Sequence, residues 1–145
     1  MKSAIAVSAA GLVLAAVFAV QAQEQKTIWD GVYTAEQASR GEKIYGENCA
    51  QCHGEALSGV ESAPPLTGDQ FNNNWEGLAL SDLFDRIRTT MPQTAPGTLS
   101  RAQNADLVAH ILKVGGFPAG DKPLDGQQGA LTNIKYRTYK PEAAK

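Results

Sequence analysis

The sequence is poor in cysteine and histidine, the residues from which most structural zinc sites are built. It contains 2 cysteines and 2 histidines among 145 residues, and the second histidine lies far downstream of the first. A structural zinc site needs four ligands, mostly cysteine and histidine side chains. The chain has too few of these residues for such a site, so we do not expect a zinc-binding domain.

Strong charge and regular strand patterns are also missing. The formal net charge is −2 at pH 7, which gives no electrostatic reason to expect nucleic acid binding. We find no internal repeat, no polar–apolar alternation long enough for a sheet, and no glycine-rich phosphate loop. One apolar run stands near the N-terminus, and no later segment is long enough to cross a membrane. The length fits a single domain.

The most informative feature that is present is the motif Cys49-Ala50-Gln51-Cys52-His53. The spacing C-x-x-C-H is the signature of c-type haem attachment, in which two thiols join the haem vinyl groups and the adjacent histidine binds iron. A disulfide would leave His53 without a role. A thioredoxin-like pair should follow a strand in a βαβ pattern, which we do not find. The motif predicts one covalent haem, held by Cys49 and Cys52, with His53 as an axial ligand.

The N-terminus has the features of a secretory signal peptide. Lys2 precedes an apolar run over residues 4–20, and the sequence up to Ala22 fits a small-residue cleavage site. An uncleaved membrane anchor is the alternative, but the run is short for a span of about 20 residues and is rich in alanine. We expect a signal peptide over residues 1–22, export to the periplasm, and no stable membrane insertion after cleavage. Export agrees with the motif because c-type haem is attached outside the cytoplasm.

Methionine is scarce as well, and Met91 is the only thioether left once Met1 departs with the signal peptide. The segment before it predicts an amphipathic helix with Ser81 as N-cap. Its apolar stripe consists of Leu80, Leu83, Phe84 and Ile87. Pro92 disfavours helical geometry at Met91, so this residue should lie just past the helix end. We predict Met91 as the second axial iron ligand; a core methionine is the alternative.

The competing ligand is His110, on a helix predicted from about Arg101 to Lys113. Ser100 and Gln103 form a capping box at its start, and Gly115-Gly116 ends it. The apolar face of this helix consists of Leu107, Val108, Ile111 and Leu112. Because His110 lies away from the centre of that face, we expect a surface histidine that does not bind iron.

These features together resemble the class I cytochrome c family, and the likeness covers roughly residues 34 to 117. It implies an all-α cytochrome c fold of about four to five helices around one covalently attached haem c and its iron. The first helix should start at a Thr34-x-x-Gln37 capping box. We expect one cytochrome c domain over residues 23–145, with a C-terminal tail over residues 118–145.

The resemblance also assigns a helix crossing. Gly41 and Tyr45 precede the haem motif on one helix face, and in the family these positions cross the C-terminal helix. The glycine allows the two helices to approach closely. Leu107 and Ile111 are the expected facing residues.

Haem contacts follow from the same resemblance. The segment from Pro64 to Gly68 is similar to the family segment whose proline carbonyl accepts a hydrogen bond from the ligand histidine. Pro64 is the expected acceptor, and the bond would orient the His53 imidazole and raise its basicity. Leu66 is expected to pack on the haem face. Trp75 would either donate a hydrogen bond to a haem propionate or pack at the haem edge.

The family implies a periplasmic one-electron carrier rather than an enzyme. With both axial positions filled, no substrate binds the metal. Residues 28–34 and Arg40-Gly41 resemble the opening of bacterial c-type cytochromes that occur beside or fused to periplasmic dehydrogenases. The expected partners are therefore a periplasmic dehydrogenase or upstream cytochrome as donor and a terminal oxidase as acceptor. We expect a monomer.

Two other functions remain open on the sequence alone. One is a haem subunit held permanently in a dehydrogenase complex. The other is a peroxidase-like or gas-binding protein with an open iron position, which requires Met91 to be absent from iron or easily displaced. We find no distal acid–base pair near the loop that contains Met91.

The C-terminal tail also has two interpretations. Its apolar residues Leu124, Leu131 and Ile134 are expected to pin it to the body of the domain. The last stretch, Lys135–Lys140, is basic and aromatic. It either guides docking to an acidic partner or is a solvated tail.

Overall fold

Five helices, joined by long loops, make up most of the regular structure in the part of the chain that the computed structural model describes, residues 25–61 and 63–142. The proposed signal peptide lies outside these residues. In chain order the elements are β1 (Lys26–Thr27), α1 (Ala35–Asn48), α2 (Ala50–His53), α3 (Gly68–Trp75), α4 (Leu80–Thr90), α5 (Arg101–Val114) and β2 (Ile134–Lys135). The predicted all-α fold is confirmed. No helix among the described residues combines the length and the apolarity that a membrane crossing requires.

Helix α1 begins with only half of the predicted capping box. The Thr34 hydroxyl accepts a hydrogen bond from the Gln37 backbone N–H at 3.2 Å. The Gln37 side chain does not return to Thr34. It is buried and pairs with Leu124 instead, donating to the Leu124 carbonyl at 3.0 Å and accepting from its N–H at 2.7 Å. Gln37 therefore holds the C-terminal tail against α1.

Helices α1 and α5 cross at Gly41, as predicted, and the atoms nearest to Gly41 belong to Asp106 and His110. A Cβ atom on Gly41 would lie 1.9 Å from the Asp106 carbonyl oxygen and 2.9 Å from the His110 Cβ. The residues at the closest approach are thus Asp106 and His110, each one position before the expected Leu107 and Ile111. Next to the crossing, Arg40 donates two hydrogen bonds of 2.9 Å to the Asp106 carboxylate, a paired geometry that adds direction to the contact.

The middle of helix α5 is buried on every side, which contradicts the prediction that His110 is a surface residue. Every residue from Asn104 to Leu112 is buried, and His110 is only 5% exposed. Helices α1 and α4 pack on α5, and the tail covers its start, where a Cβ on Gly126 would lie 2.7 Å from the Arg101 carbonyl oxygen. The helix start itself is as predicted, with both hydrogen bonds of the Ser100–Gln103 capping box formed.

Helix α4 presents its predicted apolar stripe to the core, because three of the four residues are buried and Ile87 is partly buried. Its start is not where the sequence predicted. The helix begins at Leu80 with Ala79 as N-cap, and not with Ser81. Alanine has no side-chain acceptor with which to cap the helix. The Asp82 carboxylate accepts a hydrogen bond from the Ala79 backbone N–H at 3.1 Å, and its negative charge in the first turn stabilises the helix start.

The C-terminal tail is part of the folded body. Its apolar residues Leu124, Leu131 and Ile134 are buried as predicted. Strand β2 pairs in parallel with β1, with Lys26 opposite Ile134. These strands have two residues each, too short to produce a recognisable alternation in the sequence.

The basic aromatic stretch is anchored as well, so its interpretation as a solvated tail is wrong for its first residues. Tyr136 is 1% exposed, and its hydroxyl donates to the Asn72 side chain at 2.7 Å. Burial raises the pKa of Glu76, but hydrogen bonds from Thr138 and Arg137 outweigh burial and leave the pKa below its ordinary value. These contacts attach the tail to α3 and the turn that follows it.

Candidate haem-attachment site

The residues of the C-x-x-C-H motif lie on and beside a single helical turn. Cys49 separates α1 from α2, and its backbone N–H donates to the Tyr45 carbonyl at 2.8 Å. Cys52 and His53 belong to α2, which ends at Gly54 with φ +79°. This positive φ suits glycine, because other L-residues rarely adopt it. The chain can therefore leave the helix directly after the histidine.

The two thiols are unpaired, which argues against the disulfide interpretation. Cys49 is partly buried and Cys52 is exposed. Burial, and to a smaller extent Cys52, raises the pKa of the Cys49 thiol to about 11. A catalytic redox pair needs a thiol whose pKa is lowered, so that the thiolate is present at neutral pH. The Cys49 thiol has the opposite property.

The His53 imidazole is 8% exposed and is held by Pro64. Its Nδ1 lies 2.8 Å from the Pro64 carbonyl oxygen, which is the hydrogen bond expected from the sequence. Because a carbonyl oxygen only accepts, Nδ1 must carry the proton. The lone pair of the second ring nitrogen, Nε2, is then available to a metal.

The loop after His53 folds back so that Pro64 reaches the imidazole. The Gly59 N–H donates to the His53 carbonyl at 2.9 Å, and the Leu66 N–H donates to the Leu57 carbonyl at 2.9 Å. Gly59 has φ +75°, and a Cβ atom there would lie only 2.6 Å from the Pro65 nitrogen. Neither the role of Gly59 nor the burial of Leu57 was predicted from the sequence. The sequence feature that could have indicated this turn is the position of Gly59, five residues before the Pro64-Pro65 pair.

Tyr45 connects the helix crossing to the motif, a role that the sequence analysis also missed. Its hydroxyl donates to the Gly54 carbonyl at 2.6 Å, and its ring centroid lies 5.3 Å from that of His110. Burial is the main reason that the pKa of Tyr45 rises to about 12. The phenol therefore stays protonated and remains a donor at neutral pH. The residue after His53 is thus tied to the α1–α5 crossing.

Two other predicted haem contacts lie at the edge of the core. Leu66 is partly buried and packs against the core cluster. Trp75 is the last residue of α3, and its ring centroid lies 6.1 Å from that of Phe71. Both side chains are therefore held by packing from one side while part of their surface remains accessible.

Met91 lies directly after the last residue of α4, where the sequence predicted it. Its N–H closes the helix by donating to the Ile87 carbonyl at 2.9 Å, and its backbone is extended. The following Met91–Pro92 peptide bond is cis. The side chain is partly buried. His53 and Met91 thus come from two different elements, each with a defined backbone geometry.

These residues fit a covalently attached haem. The Cys49 and Cys52 thiols are not joined to each other, and His53 has one ring nitrogen fixed by Pro64 and the other available. Met91 adds a thioether, a ligand that haem iron accepts in c-type cytochromes. Each donor type that such a group requires is present.

Comparison with known proteins decides the family. The model of the family described as "Cytochrome C oxidase, cbb3-type, subunit III" matches residues 36–111. The chain belongs to this family of c-type cytochromes. Cytochrome c-551 of Bacillus subtilis (strain 168) is 31% identical over 97 residues, which is 64% of this chain and 83% of that protein.

A solved structure similar to this cytochrome is that of the sulfane dehydrogenase SoxCD from Paracoccus pantotrophus. The match has a TM-score of 0.46 and 23% sequence identity over 65% of the cytochrome. The cytochrome spans only 55% of the length of that chain.

Membership of this family establishes the cofactor and the general activity. The protein is a monohaem c-type cytochrome with one covalently attached haem c and its iron. It is an electron carrier, and its partners are redox proteins.

Proposed function

We propose that the protein is a periplasmic one-electron carrier with His53 and Met91 as the two axial ligands of a haem joined to Cys49 and Cys52. The observation that carries this proposal is the hydrogen bond between His53 Nδ1 and the Pro64 carbonyl. It fixes the tautomer and the ring orientation that a metal-binding histidine needs.

In this proposal the protein holds its redox centre rigidly, and no substrate reaches the metal. When bound, haem iron supplies a ferric–ferrous couple. Pro64 keeps the His53 imidazole in place, and Tyr45 holds the backbone of the next residue through its bond to Gly54. A thioether ligand such as Met91 favours the ferrous state and raises the reduction potential.

The proposed setting is the periplasm, reached through the signal peptide at residues 1–22 and its cleavage after Ala22. The electron donor would be a periplasmic dehydrogenase or an upstream cytochrome, and the acceptor a terminal oxidase. The resemblance of residues 28–34 to cytochromes that accompany periplasmic dehydrogenases supports the donor. We expect the mature protein, residues 23–145, to be a monomer that meets each partner transiently.

The ligand assignment is tested by visible spectra and redox titration of the exported, haem-loaded protein. His53→Ala should abolish the low-spin spectrum, whereas His110→Gln, at the other histidine, should keep it. Met91→Ala should leave the haem attached, remove the weak long-wavelength iron–sulfur band of the oxidised protein and lower the reduction potential. Leu99→Ala, a partly buried residue of the same loop, is the matched control and should retain both properties. An unchanged spectrum and potential in Met91→Ala would show that this ligand is wrongly assigned.

Two further measurements separate the carrier from its alternatives. A reduced carrier with both axial positions filled should bind carbon monoxide slowly or weakly at neutral pH. Rapid, tight binding would instead favour a peroxidase-like or gas-binding protein. In size-exclusion chromatography with haem detection, a free carrier elutes near monomer mass. Elution of the native protein with a larger partner would favour a haem subunit of a dehydrogenase complex.

A further inference from the structure

A cavity of about 490 Å³ lies between α4, the first residue of α5 and the tail segment at residues 127–132. None of its lining residues belongs to the proposed haem site. Its volume is within the range of about 300–1,000 Å³ that is typical of sites for small molecules. Two arginines, Arg88 and Arg101, contribute to the lining.

Arg101 is fixed in position by two contacts. Its guanidinium carbon lies 5.1 Å from the centroid of the Phe84 ring, a cation–π contact. Its Nε donates to the Gly126 carbonyl. The two terminal nitrogens of the guanidinium have no acceptor among the described residues. Little side-chain freedom would be lost when a ligand binds to them, because the group is already held.

Arg88 is arranged in a similar way. Its Nε donates to the Asp85 carboxylate at 3.1 Å, and its terminal nitrogens also have no acceptor in the described part of the chain. Asp85 is the one acidic residue in the cavity lining, and its charge offsets that of one of the two arginines. The polar residues contributed by the tail, among them Gln127, Gln128 and Thr132, are uncharged. The cavity therefore has an excess of positive charge in a chain whose net charge is −2.

We propose that this cavity binds a small oxyanion, of the carboxylate or phosphate class, between Arg88 and Arg101. Both classes present two or more anionic oxygens that can accept paired hydrogen bonds from a guanidinium group. The two side chains come from different helices, so one ligand would bridge α4 and α5.

Isothermal titration calorimetry on the exported, haem-loaded protein tests the proposal, with succinate and inorganic phosphate titrated separately at low ionic strength. We expect saturable one-to-one binding of at least one probe. Binding of succinate alone would assign the site to carboxylates, and binding of phosphate alone to phosphate. Arg88→Gln and Arg101→Gln should each weaken binding about tenfold or more.

Arg86→Gln is the matched control, because Arg86 is exposed on the same helix, carries the same charge and does not line the cavity. It should leave the affinity unchanged. Arg88→Gln is the primary test, since Arg101 also anchors the tail and its replacement can destabilise the fold. The proposal is overturned if neither probe saturates, if Arg88→Gln binds like the native protein, or if Arg86→Gln weakens binding as much as Arg88→Gln does.

Discussion

Replacing Gly41 with alanine tests how closely α1 and α5 must approach each other. The added Cβ would lie 1.9 Å from the carbonyl oxygen of Asp106 and 2.5 Å from its carbonyl carbon. Both are backbone atoms of α5, so no side-chain rotation can relieve the contact. Since real Cβ contacts are essentially never shorter than 3.0 Å, the helices must separate by about 1 Å.

The expected cost is large for a domain of this size. Overpacking of a close-packed interface typically costs about 1–3 kcal/mol, and this contact belongs at the upper end because whole helices must move. Alanine recovers up to about 1 kcal/mol through its higher helix propensity. We therefore expect a net loss of about 2 kcal/mol in the free energy of unfolding. For a domain of this length, such a loss lowers the melting temperature by roughly 5–10 °C.

Gly46→Ala provides the matched control in the same helix. A Cβ atom at Gly46 would meet nothing within 4 Å, so only the propensity effect remains. This substitution should stabilise the protein by about 0.5–1 kcal/mol. Thermal and denaturant unfolding of the haem-loaded variants, followed by circular dichroism, measures both changes. If Gly41→Ala is as stable as Gly46→Ala, the close crossing of α1 and α5 is refuted.

Three further predictions concern buried polar groups. Burial lowers the pKa of His110 in the folded protein, whereas the unfolded chain takes up this proton near pH 6.5. The free energy of unfolding should therefore fall as the pH drops below about 6.5. Denaturation at pH 5 to 7 should show a smaller fall for His110→Phe than for the native protein. An unchanged pH dependence in His110→Phe would contradict the buried, neutral histidine. Gln37→Leu leaves the buried Leu124 N–H and carbonyl unpaired, so it should cost about 2–4 kcal/mol and make the tail sensitive to limited proteolysis; resistance equal to that of the native protein would count against this role. Tyr136→Phe removes the hydroxyl that donates to Asn72 and should cost about 1 kcal/mol in denaturant unfolding, with the haem spectrum unchanged. No loss of stability would mean that water replaces this bond.

Local patterns in the sequence were sufficient to predict several features of the fold. The Ser100–Gln103 capping box, the apolar stripe of α4 and the position of Met91 just past a helix end depend on residues within a few positions of one another. Such interactions form in the same way wherever the segment lies in the fold. The expected hydrogen bond from His53 to Pro64 spans 11 positions and is also present, but it was inferred from the resemblance to a family rather than from a local pattern.

Interactions between distant segments account for what the sequence analysis missed. His110 was expected at the surface because periodicity describes one apolar face, whereas α5 is covered by α1, α4 and the tail together. Gln37 was expected to cap its own helix, yet its amide pairs with Leu124, 87 positions away. The Ser81 cap was wrong for a local reason instead: Ala79 is the N-cap, and Asp82 in the first turn accepts a hydrogen bond from its backbone N–H.

The sequence by itself determined the haem motif, the capping box of α5 and the position of Met91 just past a helix end, because each follows from residue identities at short, fixed spacings. The tertiary structure alone decided that Gln37 and His110 are buried and that Gln37 pairs with Leu124. The tail is attached through Gln37 and Tyr136, and two arginines from different helices line one cavity. These pairings depend on the path of the whole chain, which brings together residues that no local pattern relates.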